Sequence, residues 1–156
     1  MNKPTVITSF NIRVYGLFIN DKHEVLLADE LRFGIRMTKF PGGGLQFGEG
    51  TIDCLKREAI EEFGQEIEII RHFYTTDYFQ QSLFQTDQQL ISIYYLARFK
   101  GREKFRIAEL PFEFEEITDE TLSFRYFPIA HLTDEELTFP VDRHVAELLR
   151  KNNFAG

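Results

Sequence analysis

One hundred and fifty-six residues with a net charge of −7 suffice for one domain with a buried core, expected to span 1–156. The acidic balance argues against a nucleic-acid polymer as partner, because such binding leans on basic patches that neutralise phosphates; a nucleotide held through a metal ion and a few local cations remains open. The single cysteine, Cys54, excludes an internal disulfide and fits a reducing cytoplasm. No apolar run approaches the ~20 residues of a membrane span, and MNKPTVITSF has no long apolar core, so neither a membrane segment nor a signal peptide is expected.

In chain order, the alternation over 10–19 predicts a strand, and 20–23 a turn into a second strand over 24–28, together a hairpin. A loop is expected over 29–37, carrying Arg32 and Arg36, then a short strand over 38–40 into three glycines, Gly42, Gly43 and Gly44. A helix is expected over 51–63, a long or bent strand over 66–79, a polar turn over 82–88 and a strong strand over 89–99. The acidic stretch 101–122 reads as a loop, 123–127 as a strand ended by Pro128, 131–136 as a turn or short helix, and 141–151 as the last helix. Strands, helix, strands, helix suggest an α/β fold with a mixed sheet and a helix on each side.

The stretch from Gly42 to Gly64 is where chemistry concentrates. On a helix advancing about 100° per residue, Glu58, Glu61 and Glu62 share one face, while Ile52, Leu55, Ala59 and Phe63 form an apolar face. Thr51 is the expected N-cap and Gly64 the left-handed stop. Like charges three and four residues apart repel, and a solvated face is the ordinary explanation for such a helix. Three features tip the balance: a glycine loop that lets the backbone approach a ligand, Glu49 ahead of the helix, and Arg57 among the carboxylates. A divalent cation would remove the repulsion, and magnesium takes oxygen ligands, commonly one or two carboxylates plus substrate phosphates.

The run from Gly43 through Glu49 to Arg57-Glu58-Ala59-Ile60-Glu61-Glu62-Phe63-Gly64 resembles the Nudix box, complete at its polar and glycine positions. Ala59 and Gln65 depart from the usual aliphatics, which touches local packing only. The resemblance implies an α/β/α sandwich and a magnesium-dependent hydrolase, with manganese as a substitute ion. It acts on a nucleoside diphosphate linked to a further group. It assigns Glu58 and Glu62 as main metal ligands, Glu61 to ligation or to activating water, the carbonyl of Gly42 or Gly43 as a further ligand, and Arg57 and Glu49 as orienting partners. A loop carboxylate is also implied. Glu120 holds the position resembling that residue in mutator-type triphosphatases, with Glu113, Glu115 and Glu116 as rivals. For the substrate, Arg32, Arg36 and Lys39 lie just before the glycines and are candidates for the phosphates, beside the backbone of Gly43 and Gly44. Tyr78, Phe79 and Phe84 are candidates for stacking on a base, and Asp142 for reading it, against a simpler N-cap role. The four histidines show no metal spacing, and Cys54 reads as a packing residue.

The resemblance also bears on substrate class. No proline lies between Pro41 and Pro111 and there is no tryptophan, so the downstream markers of ADP-ribose and NADH-cleaving relatives are missing. That favours a nucleoside triphosphate split to monophosphate and pyrophosphate. Nucleotide-sugar or ADP-ribose-type hydrolysis is the alternative, and a non-catalytic nucleotide sensor is a further one. The partner is then a small nucleotide, and the protein a monomer or homodimer in the cytoplasm.

Overall fold

The computed structural model describes residues 5–116 and 120–154, Glu120 by its backbone alone. Strands β1 (Ser9–Phe18), β2 (Glu24–Arg32), β3 (Ile35–Lys39) and β4 (Gly42–Gly44) precede helix α1 (Thr51–Phe63). Then come β5 (Ile67–Thr75), β6 (Gln88–Phe99), β7 (Glu120–Pro128), one turn of 3-10 helix at Ile129–His131, and helix α2 (Pro140–Lys151). A mixed sheet has the order β4-β1-β6-β5, and an antiparallel sheet the order β3-β2-β7. The α/β expectation with a mixed sheet therefore holds.

The expected hairpin does not form. β1 pairs in parallel with β6 and antiparallel with β4, and touches β2 only through an isolated bridge, Ile19 to Val25. The reason lies in the burial of every residue from Val14 to Phe18: a strand covered on both faces sits inside a sheet with a neighbour on each side. The expected loop over 29–37 is also replaced. β2 runs on to Arg32 and turns through Phe33 and Gly34, both at positive φ (51° and 74°), into the antiparallel β3. Asp29 and Glu30 disguised this strand, for both are buried charges. Asp29 accepts from Arg125 at 2.6 Å and from the Thr38 hydroxyl at 2.7 Å.

Strand pleating distributes the apolar residues. Tyr15 and Leu17 of β1, with Val25 and Leu27 of β2, pack against Val141, Val145 and Leu149 of α2. Val14 and Phe18, with Leu26 and Ala28, pack against Leu55, Ala59 and Phe63 of α1. Alternate side chains thus feed two cores, one under each helix. α1 spans the predicted residues, but Gly50 takes the N-cap position, and the Thr51 hydroxyl instead meets the Tyr95 hydroxyl at 2.6 Å. Gly64 ends the helix at φ 64° with its amide donating to the Ile60 carbonyl. Two register shifts bend β5. Among the described residues, no helix is long and apolar enough to cross a membrane.

Candidate active site

The three glycines are strand β4, paired to β1 with Gly43 opposite Val14 and Gly42 opposite Tyr15. A Cβ on Gly43 would stand 2.3 Å from Glu58 Oε1, so glycine here makes room for the carboxylate of α1. A Cβ on Gly42 would stand 2.1 Å from the Val14 carbonyl oxygen, at φ 154°. Both glycines are therefore set by close approach, one to a functional side chain and one to backbone.

Arg57 is the hub. Its Nε donates to Glu49 Oε2 at 3.0 Å and one terminal nitrogen to Glu49 Oε1 at 2.9 Å, a two-point grip. That same terminal nitrogen donates to the Gly44 carbonyl at 3.1 Å, while the other reaches Glu58 Oε1 at 3.1 Å and both oxygens of Glu61 at 3.2 Å. Glu49 also accepts from the Gln46 amide at 2.9 Å, closing the loop before α1. The Arg57 hydrogen bonds, then the Gln46 amide, lower the Glu49 pKa to about 2. Glu61 is the exposed member, its side chain 56% accessible against 14% for Glu58. Cys54 lies buried beneath with its thiol pushed up to about 12, chiefly by burial, as suits a packing residue.

Glu62 behaves differently. Burial, with smaller contributions from the Glu58 and Glu30 carboxylates, raises its pKa to about 8, against the opposing pull of Lys39 and Arg13. Lys39 is ion-paired to Glu30 at 3.0 Å, both largely buried. The carboxylates of Glu58 and Glu62 thus crowd one place without full compensation. Among the described residues no three acidic, histidine or cysteine side chains form a ready cage. Two carboxylates beside a glycine strand still fit magnesium, whose remaining positions are commonly filled by water and phosphate.

Next to this cluster opens a cavity of about 390 Å³. Its walls are alternate residues of four strands: Asn11, Arg13 and Tyr15; Glu30 and Arg32; Ile35, Met37 and Lys39; Leu90, Ser92 and Tyr94. The period of two is the reason, since every second side chain of a strand points to one face. Of the predicted phosphate contacts, Arg32 and Lys39 line this cavity. Arg36 does not, because it alternates to the other face and lies over the Phe112 ring at 5.2 Å. Phe84 lines the cavity, whereas Tyr78 meets the His144 ring edge at 5.9 Å. Glu115 and Glu116 share with Glu62 a second cleft of about 300 Å³, and Glu113 is bound to Arg106 at 2.9 Å. The Glu120 side chain lies outside the described residues.

Asp142 is no N-cap; that position belongs to Phe139. Asp142 stands in the first turn of α2, 2% exposed. Its Oδ1 accepts from the Tyr94 hydroxyl at 2.6 Å, while Oδ2 has no hydrogen-bond partner among the described residues. Burial raises its pKa to about 6, opposed by the Tyr94 hydrogen bond, Lys39, the Phe40 amide and Arg13. Sequence reasoning missed Arg13, Glu30 and Tyr94. For Arg13 a signal existed: Asn11, Arg13 and Tyr15 are three polar residues at alternate positions of an otherwise apolar strand.

A protein-family model described as NUDIX domain matches residues 10–149. No curated protein sequence matches the chain. Among solved structures, the fold is similar to a NUDIX hydrolase from Nitrosomonas europaea (TM-score 0.69, 16% identity, covering 92% of this chain and 90% of that one). It is similar also to a MutT NUDIX hydrolase from Burkholderia pseudomallei (TM-score 0.66, 19% identity, 90% and 97%). An ADP-ribose pyrophosphatase from Streptococcus suis follows (TM-score 0.56, 18% identity, 89% and 86%).

Proposed function

The chain belongs to the NUDIX hydrolase family, and from that premise we propose that it hydrolyses a nucleoside triphosphate to the monophosphate and pyrophosphate with magnesium. The observation that carries the reading is the crowding of Glu58 and Glu62 against the glycine strand, at the edge of a cavity lined by Arg13, Arg32 and Lys39. Glu58 and Glu62 would hold the ion, with the Gly43 carbonyl beside them. When bound, magnesium neutralises phosphate charge and lowers the pKa of an attacking water. Arg57 orients Glu58 and ties it to the Glu49 loop, the kind of supporting contact that keeps a ligand in place. Glu49, gripped by Arg57 and held near pKa 2, is a poor proton acceptor at neutral pH. Glu61, exposed at the rim, is placed to take the proton from water. Arg13, Arg32 and Lys39 bind the phosphates and orient the chain of anhydrides.

The test is kcat/KM over a panel of nucleoside triphosphates, ADP-ribose and sugar nucleotides with magnesium, read by released phosphate or pyrophosphate. A triphosphate should lead. A tenfold advantage for ADP-ribose or a sugar nucleotide would replace this substrate class, and the absence of turnover on every member would favour a sensor.

A further inference from the structure

Three features of the 390 Å³ cavity are not used by phosphate chemistry. At its floor, Asp142 keeps Oδ2 without a hydrogen-bond partner while almost wholly buried. At its rim, Phe33 occupies the tip of the β2–β3 turn, 81% exposed and at φ 51°. A bulky residue in the left-handed region is uncommon, and turns of this kind favour Asn or Asp before Gly. Phe84, 54% exposed, also lines the cavity and sets its ring against Phe139 at 6.0 Å. An exposed, strained aromatic beside a cavity serves no core. Local strain of this sort persists where the site uses it. A planar ring entering between these side chains would gain two stacking partners.

The orphan oxygen selects the edge of that ring. An ionised carboxylate only accepts hydrogen bonds. With Oδ1 engaged by Tyr94, Oδ2 needs an N–H donor from the ligand. Guanine presents adjacent donors, N1–H and the N2 amino group, on its Watson–Crick edge. Adenine presents an amino group next to an unprotonated N1, whose lone pair would face the carboxylate. Sites that leave a buried polar group unpaired with the wrong substrate discriminate strongly.

We propose that the cavity is a nucleobase slot selective for guanine, in which Asp142 reads the donor edge and Phe33 and Phe84 cover the ring. The proposal rests on the nucleotide reading above and names the base of that substrate. It is tested by calorimetric titration of the protein with GMP and AMP, which needs no turnover. GMP should bind at least about tenfold more tightly than AMP. Asp142→Asn keeps an oxygen for Tyr94 and replaces the acceptor with a donor; it should reduce the GMP-to-AMP ratio by about tenfold or more. Phe33→Asn suits the turn better, so the melting temperature should hold or rise, while both monophosphates bind about fivefold or more weakly. Equal binding of GMP and AMP to the wild-type protein, or none of either, overturns the slot. So does Phe33→Asn binding both as the wild type does. If Asp142→Asn fails to fold, the wild-type ratio and the Phe33 variant still decide. GMP selectivity without hydrolysis of any triphosphate keeps the slot and sinks the catalytic reading. Turnover indifferent to the base does the reverse.

Discussion

Glu62 shows how one residue joins stability to activity. Its pKa is raised in the folded protein from the usual 4.5 to about 8, first by burial and then by neighbouring carboxylates. A carboxyl raised on folding stabilises while protonated: the contribution is fully present below pH 4.5 and is lost as pH climbs through about 8. Metal-free protein should therefore lose melting temperature between pH 5 and 9, by up to the one-proton limit of about 1.4 kcal/mol per pH unit. Glu62→Gln should flatten that profile and cut kcat by about 100-fold or more. A variant that turns over normally, or that keeps the wild-type pH slope, contradicts the assignment. The glycines allow a second contrast. In Gly43→Ala the new methyl meets the end of a flexible Glu58 side chain, so the fold should change by less than about 1 kcal/mol while activity is lost. In Gly42→Ala it meets the Val14 carbonyl and the Tyr15 Cα, and should cost about 1–3 kcal/mol or more. Urea denaturation of both variants, with activity alongside, separates the two roles.

Helix α1 is an element with a different task on each face. Its apolar side, Leu55, Ala59 and Phe63, holds it to the sheets; its acidic side would be self-repelling without Arg57. Replacing Arg57 by Ala removes the two-point grip on Glu49 and the contacts to Glu58, Glu61 and the Gly44 carbonyl. Activity should fall about 10- to 100-fold, as losses of supporting contacts at metal sites do, and magnesium should be needed at higher concentration. An Arg57→Ala enzyme with unchanged magnesium dependence would show that the hub does not position the carboxylates. This element was legible in the chain alone, since its apolar spacing and glycine stop are local. The β2–β3 hairpin was not. Its strand contains Asp29 and Glu30, and only partners far along the chain, Arg125 for one and Lys39 for the other, make those charges tolerable in a sheet.

At the scale of the molecule, the buried Asp29–Arg125 pair ties β2 to β7, with Thr38 of β3 and the Phe112 amide on the same carboxylate. Arg125→Met should destabilise by about 3–5 kcal/mol, because it strands a buried charge rather than merely deleting a contact; a loss under 1 kcal/mol in chemical denaturation would refute that. The pair lies away from Glu58 and Glu62, so whatever fraction stays folded should keep its specific activity. By itself the sequence determined the helix with its carboxylate face, the glycines that admit Glu58, the Glu49–Arg57 tie and the α/β class. Each of these is written in spacings of a few residues, where helix geometry and close backbone approach leave little choice. Tertiary structure alone decided that β1 lies beside β6 rather than β2, and that Arg32 and Lys39 line the cavity while Arg36 lies over Phe112. It also brought Arg13, Tyr94 and Asp142 to one cavity and left an oxygen of Asp142 without a partner. Those outcomes depend on which strands pair and in what register. A shift of one residue would turn each side chain to the opposite face, and that register is set by the packing of two cores from segments far apart in the chain.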